Sequence, residues 1–233
     1  LLFGTTSNAA DKKIPEKDMQ KAQPSVKVEK KAEKIDPKAT TTKPLPTAAE
    51  PTVELVTNQG SIVIKLFPQK APVTVKNFLQ YVDEKFYDNT VFHRVIPDFM
   101  IQGGGFVKEP SAITQKKTRA GIINEARNGL KNKRGTVAMA RRGQGSWEDA
   151  NSTTSQFFIN VVDNSNLDHP KPDNFGYTVF GEVIKGMDIV DKIKGTKTGD
   201  RPLNIRDDSD KVMTQSMPNV PVKDMVIITA KRI

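Results

Sequence analysis

Cysteine is absent from the 233-residue chain, which excludes disulfides and thiol catalysis and carries no firm information about compartment. Histidine is almost as scarce: His93 and His169 are the only two, which argues against a His-rich metal site. No run approaches the ~20 apolar residues of a membrane span. The formal charge is +9, yet no block of Lys and Arg is long enough to read as a nucleic-acid arm. Residues 1 to 50 hold ten lysines against seven acids, leaving +3, and the rest carries +6. That first stretch has a single aromatic, Phe3. No nucleic-acid partner is expected.

Residues 1 to 51 also lack any face that could be buried. Pro15, Pro24, Pro37, Pro44, Pro46 and Pro51 are spread among Lys, Ala and Thr, and the apolar residues are isolated. Such a segment cannot offset the entropy of ordering and reads as a flexible charged spacer. Lys21 to Lys34 could form a transient helix. Leu1-Leu2-Phe3-Gly4 reads as the stub of an apolar segment, a signal peptide or an anchor. A membrane tether upstream of Leu1 is therefore one expectation, and the cell envelope is favoured over the cytoplasm.

Residues 52 to 233 read as one folded domain. Val53 to Thr57 and Ser61 to Phe67 are two strands around Asn58-Gln59-Gly60, a hairpin signal. Pro72 suits a first helical turn, and Val75, Phe78, Leu79 and Val82 follow at helical spacing. Pro110 to Asn132 is polar and reads as surface loop. Thr136 to Ala140 is a short strand, and Arg141 to Thr154 is again loop. Ser155 to Val161 and Tyr177 to Val183 are strands. Met187 to Lys194 is a second helix, stopped by Gly195. Thr196 to Pro221 is long and polar, without a periodic face, and Met225 to Ala230 is a closing strand. Many short strands with two separated helices predict a mainly β, closed antiparallel barrel.

The chemistry concentrates in Phe92 to Phe106, FHRVIPDFMIQGGGF. Read with period two, Arg94, Ile96, Asp98, Met100 and Gln102 share one face. A guanidinium and an amide inside an apolar patch make a poor core face and a good binding face. The bland alternative is a half-buried strand with an outward Arg and a Gly-rich turn. A phosphate loop is weaker, because glycines 103 to 105 do not match G-x-G-x-x-G and no G-K-[ST] follows.

The segment FHRVIPDFMIQGG resembles the signature of the cyclophilin-type peptidyl-prolyl isomerases. RGTVAMA at 134 to 140, TSQFFIN at 154 to 160 and YTVFGEVIKGMDIVDKI at 177 to 193 agree in order. The likeness runs from about Val53 to Ile233 and is strongest to bacterial secreted members. It implies an eight-stranded barrel with a helix over each open end and the site on the outer face. The implied activity is rotation of X-Pro bonds in proline-containing peptides and unfolded clients, by a monomer needing neither metal nor cofactor. Arg94 matches the catalytic arginine, and Gln102 matches the glutamine that binds substrate backbone and orients it. His93 matches a site-lining histidine. Phe99, Met100, Phe158 and Leu167 match the pocket for the proline ring. Ala140, Arg141, Gln156 and Tyr177 match further substrate-binding positions, with the Arg141 backbone and Gln156 beside the residues preceding the proline.

Several positions depart from the pattern common in eukaryotic members. Asn166 stands where many have tryptophan, Tyr177 where they have histidine, and Arg141 where an asparagine is usual. Trp147 lies elsewhere in sequence and does not align with the missing tryptophan. A proline-peptide binding or chaperone module tethered by its N-terminal tail is the competing reading, and an intact Arg94 weighs against it. Deleting residues 1 to 50 is expected to leave kcat/KM on a proline tetrapeptide and the melting temperature nearly unchanged, because a solvated segment contributes no core.

Overall fold

The computed structural model describes residues 50–143, 145–207 and 209–233. The spacer expected over residues 1 to 51 therefore falls, but for Glu50 and Pro51, outside the described residues.

The chain begins its sheet with a hairpin, β1 (Thr52–Thr57) and β2 (Gly60–Leu66). Alternation decides what they bury: Val53 and Leu55 of β1 and Ile62, Ile64 and Leu66 of β2 are sealed in the core. Burial of each such side chain is worth about 1.5–3 kcal/mol. Helix α1 (Pro72–Asp83) follows with Pro72 at its start. Its Val75, Phe78, Leu79 and Val82 stripe joins the same core, as the helical spacing requires. No residue at the start of α1 caps it with its own side chain. The carboxylate of Glu125, far along the chain, does so instead. It accepts from the Val73 and Thr74 backbone N–H groups at 3.1 and 2.8 Å and from the Thr74 hydroxyl at 2.7 Å.

The strands continue as β3 (Thr90–Val91), β4 (Arg94–Ile96), β5 (Met100–Gly103), β6 (Phe106–Lys108) and β7 (Ile113–Gln115). They are followed by β8 (Thr136–Met139), α2 (Trp147–Ala150), β9 (Phe157–Asn160) and β10 (Val179–Lys185). Helix α3 (Met187–Lys194), β11 (Thr198–Arg206), β12 (Val212–Pro221) and β13 (Val226–Arg232) complete the domain. One sheet holds all thirteen strands of the described residues, in the order β12-β11-β7-β6-β3-β13-β1-β2-β10-β8-β9-β5-β4. Its end strands β12 and β4 approach each other, so the sheet curls into a nearly closed barrel.

The barrel class agrees with expectation, and the counts do not: thirteen strands rather than eight, and three α-helices rather than two. The differences fall in four segments. The Arg94 to Gln102 stretch is not one extended face but a hairpin, turned at 97–99, with Arg94 opposite Gln102 and Ile96 opposite Met100. Asp98 sits exposed on that turn and leaves the face. The polar segment 196–221 is a long hairpin, β11 against β12. Most of β12 is solvent-exposed, so it shows no alternation for a sequence reading to find. Leu203 and Val220 are sealed there in a small cluster with Val91, Phe106 and Ile113, and Pro221 at the end of β12 is buried as well. The segment 110–132 likewise contains β7, whose three residues are too few to show a period. The 141–154 loop holds α2, one turn capped by the Ser146 hydroxyl.

Strands β5, β8 and β9 and the first three residues of β10 are buried on both faces. Ile101, Val137, Met139, Phe157, Ile159 and Phe180 point into the barrel core. Their neighbours Met100, Ala138, Phe158 and Val179 point outward and form a second apolar cluster with Leu167. A chain of buried asparagines borders this outer cluster. Asn160 donates to Asn132 Oδ1 at 3.2 Å and to Thr136 Oγ1 at 2.9 Å, and accepts from Asn164 Nδ2 at 2.7 Å. Asn164 Nδ2 also donates to the Phe99 carbonyl at 2.8 Å. Asn160→Ala should cost about 2–4 kcal/mol, read from urea unfolding, because it strands polar partners away from water.

Candidate active site

The outer cluster becomes a pocket because polar side chains rim it. Arg94, Phe99, Met100, Gln102, Ala140, Arg141, Phe158, Leu167 and Tyr177 line a hollow of about 200 Å³. This is smaller than the ~300–1,000 Å³ of small-molecule sites and suits a single ring. Met100 and Phe158 reach it by alternation from β5 and β9, and the backbones of Gln102 and Phe158 are direct cross-strand partners. Phe158 meets Tyr177 edge to face, with ring centroids 5.9 Å apart.

Arg94 is half-buried at the rim. Its Nη1 donates to Gln102 Oε1 at 3.3 Å, and the guanidinium lies 6.0 Å from the Phe99 ring centre. Arg94 has no ion pair among the described residues. Partial burial lowers its pKa, but an arginine stays charged across the working range. The relay continues inward, with Gln102 Nε2 donating to Gln156 Oε1 at 2.9 Å. Gln156 is packed against backbone: a Cβ added at Gly105 would sit 2.4 Å from its Cγ. The Gly-rich turn serves that close approach, and Gly104 takes φ +81° within it.

Of the other residues singled out in the sequence, His93 lies apart from the pocket. It is buried behind Phe106, their ring centres 4.4 Å apart, and its Nδ1 has no hydrogen-bond partner. Burial lowers its pKa to about 4, so the ring is neutral near pH 7. Arg141 lines the pocket, but its side chain is only 1% exposed and faces structure. It pairs with Asp173 at 2.7 Å, donates to the Gly176 carbonyl at 3.0 Å and lies over the Tyr177 ring at 4.3 Å. Burial would raise the Asp173 carboxyl, but the Arg141 hydrogen bond and charge outweigh it and hold the pKa low. Asn166 is exposed beside Leu167, and Trp147 is 60% exposed against Phe175.

The roles of Asp173, Asn160 and Asn164 were not visible in the sequence. Each acts through a partner 28 to 65 residues away, and no local pattern announces that. Among the described residues no group of three or more His, Cys, Asp or Glu could hold a metal ion. No helix among them is long and apolar enough to cross a membrane.

The described residues form a nearly closed β-barrel with an apolar, ring-sized pocket on its outer wall and, at the rim, an arginine without a counter-ion among those residues. The match to the cyclophilin type peptidyl-prolyl cis-trans isomerase/CLD family spans residues 52–225. The chain belongs to that family, and is a peptidyl-prolyl cis-trans isomerase. It is 59% identical over 145 residues to peptidyl-prolyl cis-trans isomerase B of Escherichia coli K12, covering 61% of this chain and 84% of that one. It is 49% identical over 179 residues to isomerase A of Dickeya dadantii, covering 77% and 83%. A crystal structure of a Cryptosporidium parvum cyclophilin shares the fold, with TM-score 0.57 and 24% identity over 78% of this chain and 97% of that chain.

The neutral, buried His93 sets a pH expectation. Its folded pKa of about 4 lies below the unfolded value near 6.5. The unfolded chain therefore takes up a proton first as pH falls. The His93 contribution to stability is full above about pH 6.5 and lost progressively down to about pH 4. Urea midpoints should fall across that window, while kcat/KM should stay flat through pH 6.5 where the chain remains folded.

Proposed function

We propose that Arg94 catalyses X-Pro rotation by donating a hydrogen bond to the amide nitrogen as it twists. Amide resonance sets a barrier of ~18–20 kcal/mol, and uncatalysed isomerisation takes tens of seconds or longer. In the planar forms the nitrogen lone pair is delocalised. At the twisted transition state it is localised and becomes an acceptor. A donor held at that point binds the transition state better than either ground state, with no covalent step. The observation that carries this reading is the Arg94 guanidinium, without an ion pair among the described residues, held by Gln102 at the rim of a ring-sized apolar pocket. An ion-paired arginine would have its donors spent.

Phe99, Met100, Phe158, Leu167 and Tyr177 would grip the proline ring by contact and desolvation. Gln102, Gln156 and the Arg141 backbone lie beside the residues preceding the proline in this reading. A Cryptosporidium parvum cyclophilin has been crystallised in the presence of the dipeptide Ala-Pro, which supports proline-containing peptides as the ligand class. Clients are then unfolded chains presenting X-Pro bonds to a monomer. The charged N-terminal stretch supports a setting in the cell envelope, with that stretch as spacer.

Arg94→Ala should lower kcat/KM on a proline tetrapeptide about 100- to 1,000-fold, the scale of losing one preorganised donor. It should cost less than about 1 kcal/mol of stability, since no ion pair is broken. Arg94→Lys should remain poor, because an ammonium lacks the planar fork that Gln102 holds. A folded Arg94→Ala protein with near-normal turnover would leave only the alternative, a tethered proline-peptide binding or chaperone module.

A further inference from the structure

Two walls of the pocket are the two ends of one loop. Leu167 and Tyr177 both line the hollow, and the Tyr177 backbone N–H donates to the Leu167 carbonyl at 2.9 Å. Residues 168–178 between the pocket wall and β10 contain no helix or strand, so no backbone ladder fixes them. The loop is closely packed on itself: a Cβ added at Gly176, where φ is +70°, would sit 2.5 Å from the His169 backbone nitrogen. Its mooring to the barrel comes from side chains.

At the Leu167 end, Asp168 Oδ1 accepts from the Asn132 backbone N–H at 2.7 Å and from Asn132 Nδ2 at 3.1 Å. At the Tyr177 end the mooring is Arg141. Its Nε donates to the Gly176 carbonyl at 3.0 Å, its Nη2 to Asp173 Oδ1 at 2.7 Å, and its Nη1 to the Arg142 carbonyl at 2.8 Å. One planar group thus holds the loop at two points, and the same group lies 4.3 Å from the centre of the Tyr177 ring. Phe158 meets that ring edge to face from β9.

Asp173 completes the arrangement. Its Oδ1 also accepts from the Phe175 backbone N–H at 3.3 Å, while its Oδ2 is buried with no partner among the described residues. A buried carboxylate oxygen left unbonded costs stability, and an apolar plug of similar volume would hold a loop as well. What the ion pair adds is orientation. The fork fixes the plane of the guanidinium, and that plane backs the aromatic ring that closes the pocket.

We propose that Arg141 and Asp173 are positioning residues that set the ring specificity of the isomerase reaction. They hold Tyr177 against Phe158 so that the hollow admits a five-membered ring and little more. Neither side chain has a donor left for substrate, and both act through Tyr177. A grip on the ring is felt equally in the planar and twisted forms of the amide, so its loss appears in KM rather than in kcat. The proposal rests on reading this hollow as the seat of the proline ring.

The test compares the full chain with its Asp173→Ala variant on two peptides that differ only in the ring: proline, and its six-membered homologue pipecolic acid. One extra methylene against a fitted apolar wall is worth about 10- to 200-fold, so the wild type should prefer proline by about 10-fold or more in kcat/KM. Asp173→Ala should reduce that preference to about two-fold, and should raise KM for the proline peptide about 5- to 20-fold with kcat little changed. The preference is a ratio within one sample, so a smaller folded fraction leaves it untouched. A merely structural role would lower both rates together. Asp173→Asn keeps an acceptor for Arg141 and for the Phe175 N–H, and should retain most of the preference. Arg141→Lys keeps the charge but loses the fork, and should relax the preference as Asp173→Ala does; it carries the test if Asp173→Ala does not fold. A folded Asp173→Ala or Arg141→Lys protein with the wild-type preference and KM would overturn the proposal. A wild-type protein that does not distinguish the two rings would overturn instead the reading of the hollow as the proline seat.

Discussion

The site depends on a sheet that is apolar on both faces. In an ordinary barrel strand one face packs inward and the other meets water. Here β5, β8, β9 and β10 send alternate side chains into the core and into an outer cluster built on Met100, Ala138, Phe158 and Val179. The inner set fixes the strands, and the outer set is thereby held without freedom to collapse. A proline-sized hollow on an outside wall persists because its floor is anchored from beneath. The buried asparagines 132, 160 and 164 do the same for its edge, tying the Phe99 carbonyl to the segment that leads to Leu167.

On that floor the polar groups form a directed series. Arg94 donates to Gln102, and Gln102 donates to Gln156. Each amide accepts from the group outside it, so the guanidinium is oriented without being neutralised. A carboxylate in place of Gln102 would hold the arginine more tightly and spend its donors. Asp173 is committed to the second arginine, Arg141, whose side chain is buried. The two arginines thus divide the work: Arg141 braces the Tyr177 wall, and Arg94 faces the groove.

The sequence made the apolar framework legible where alternation or helical spacing ran long enough to count. The β1–β2 hairpin, α1 and α3 fall where those patterns put them. The 92–106 stretch announced itself by mixing Arg94 and Gln102 with large apolar residues, although its hairpin at 97–99 was hidden by a pattern that also fits one strand. The β11–β12 hairpin was illegible for a different reason. Its exposed residues mix polar side chains with Val212 and Met213 and show no alternation, and Pro202 and Pro221 resemble loop punctuation. Nothing in a linear reading could join Arg141 to Asp173 or Arg206 to Gln115, since those pairs exist only once the loops are in place.

Helix α1 shows what such distant ties imply for the order of events. Its first turn is completed by Glu125, 52 residues beyond Val73. A nascent chain that has emerged only as far as the end of α1 carries a helix whose leading N–H groups have no carboxylate to meet. The cap arrives when the segment before β8 has wrapped back over the barrel, so it rewards closure of a long loop rather than local winding. During synthesis the beginning of this helix would therefore be among the later parts of the domain to settle, although it is among the first to be made.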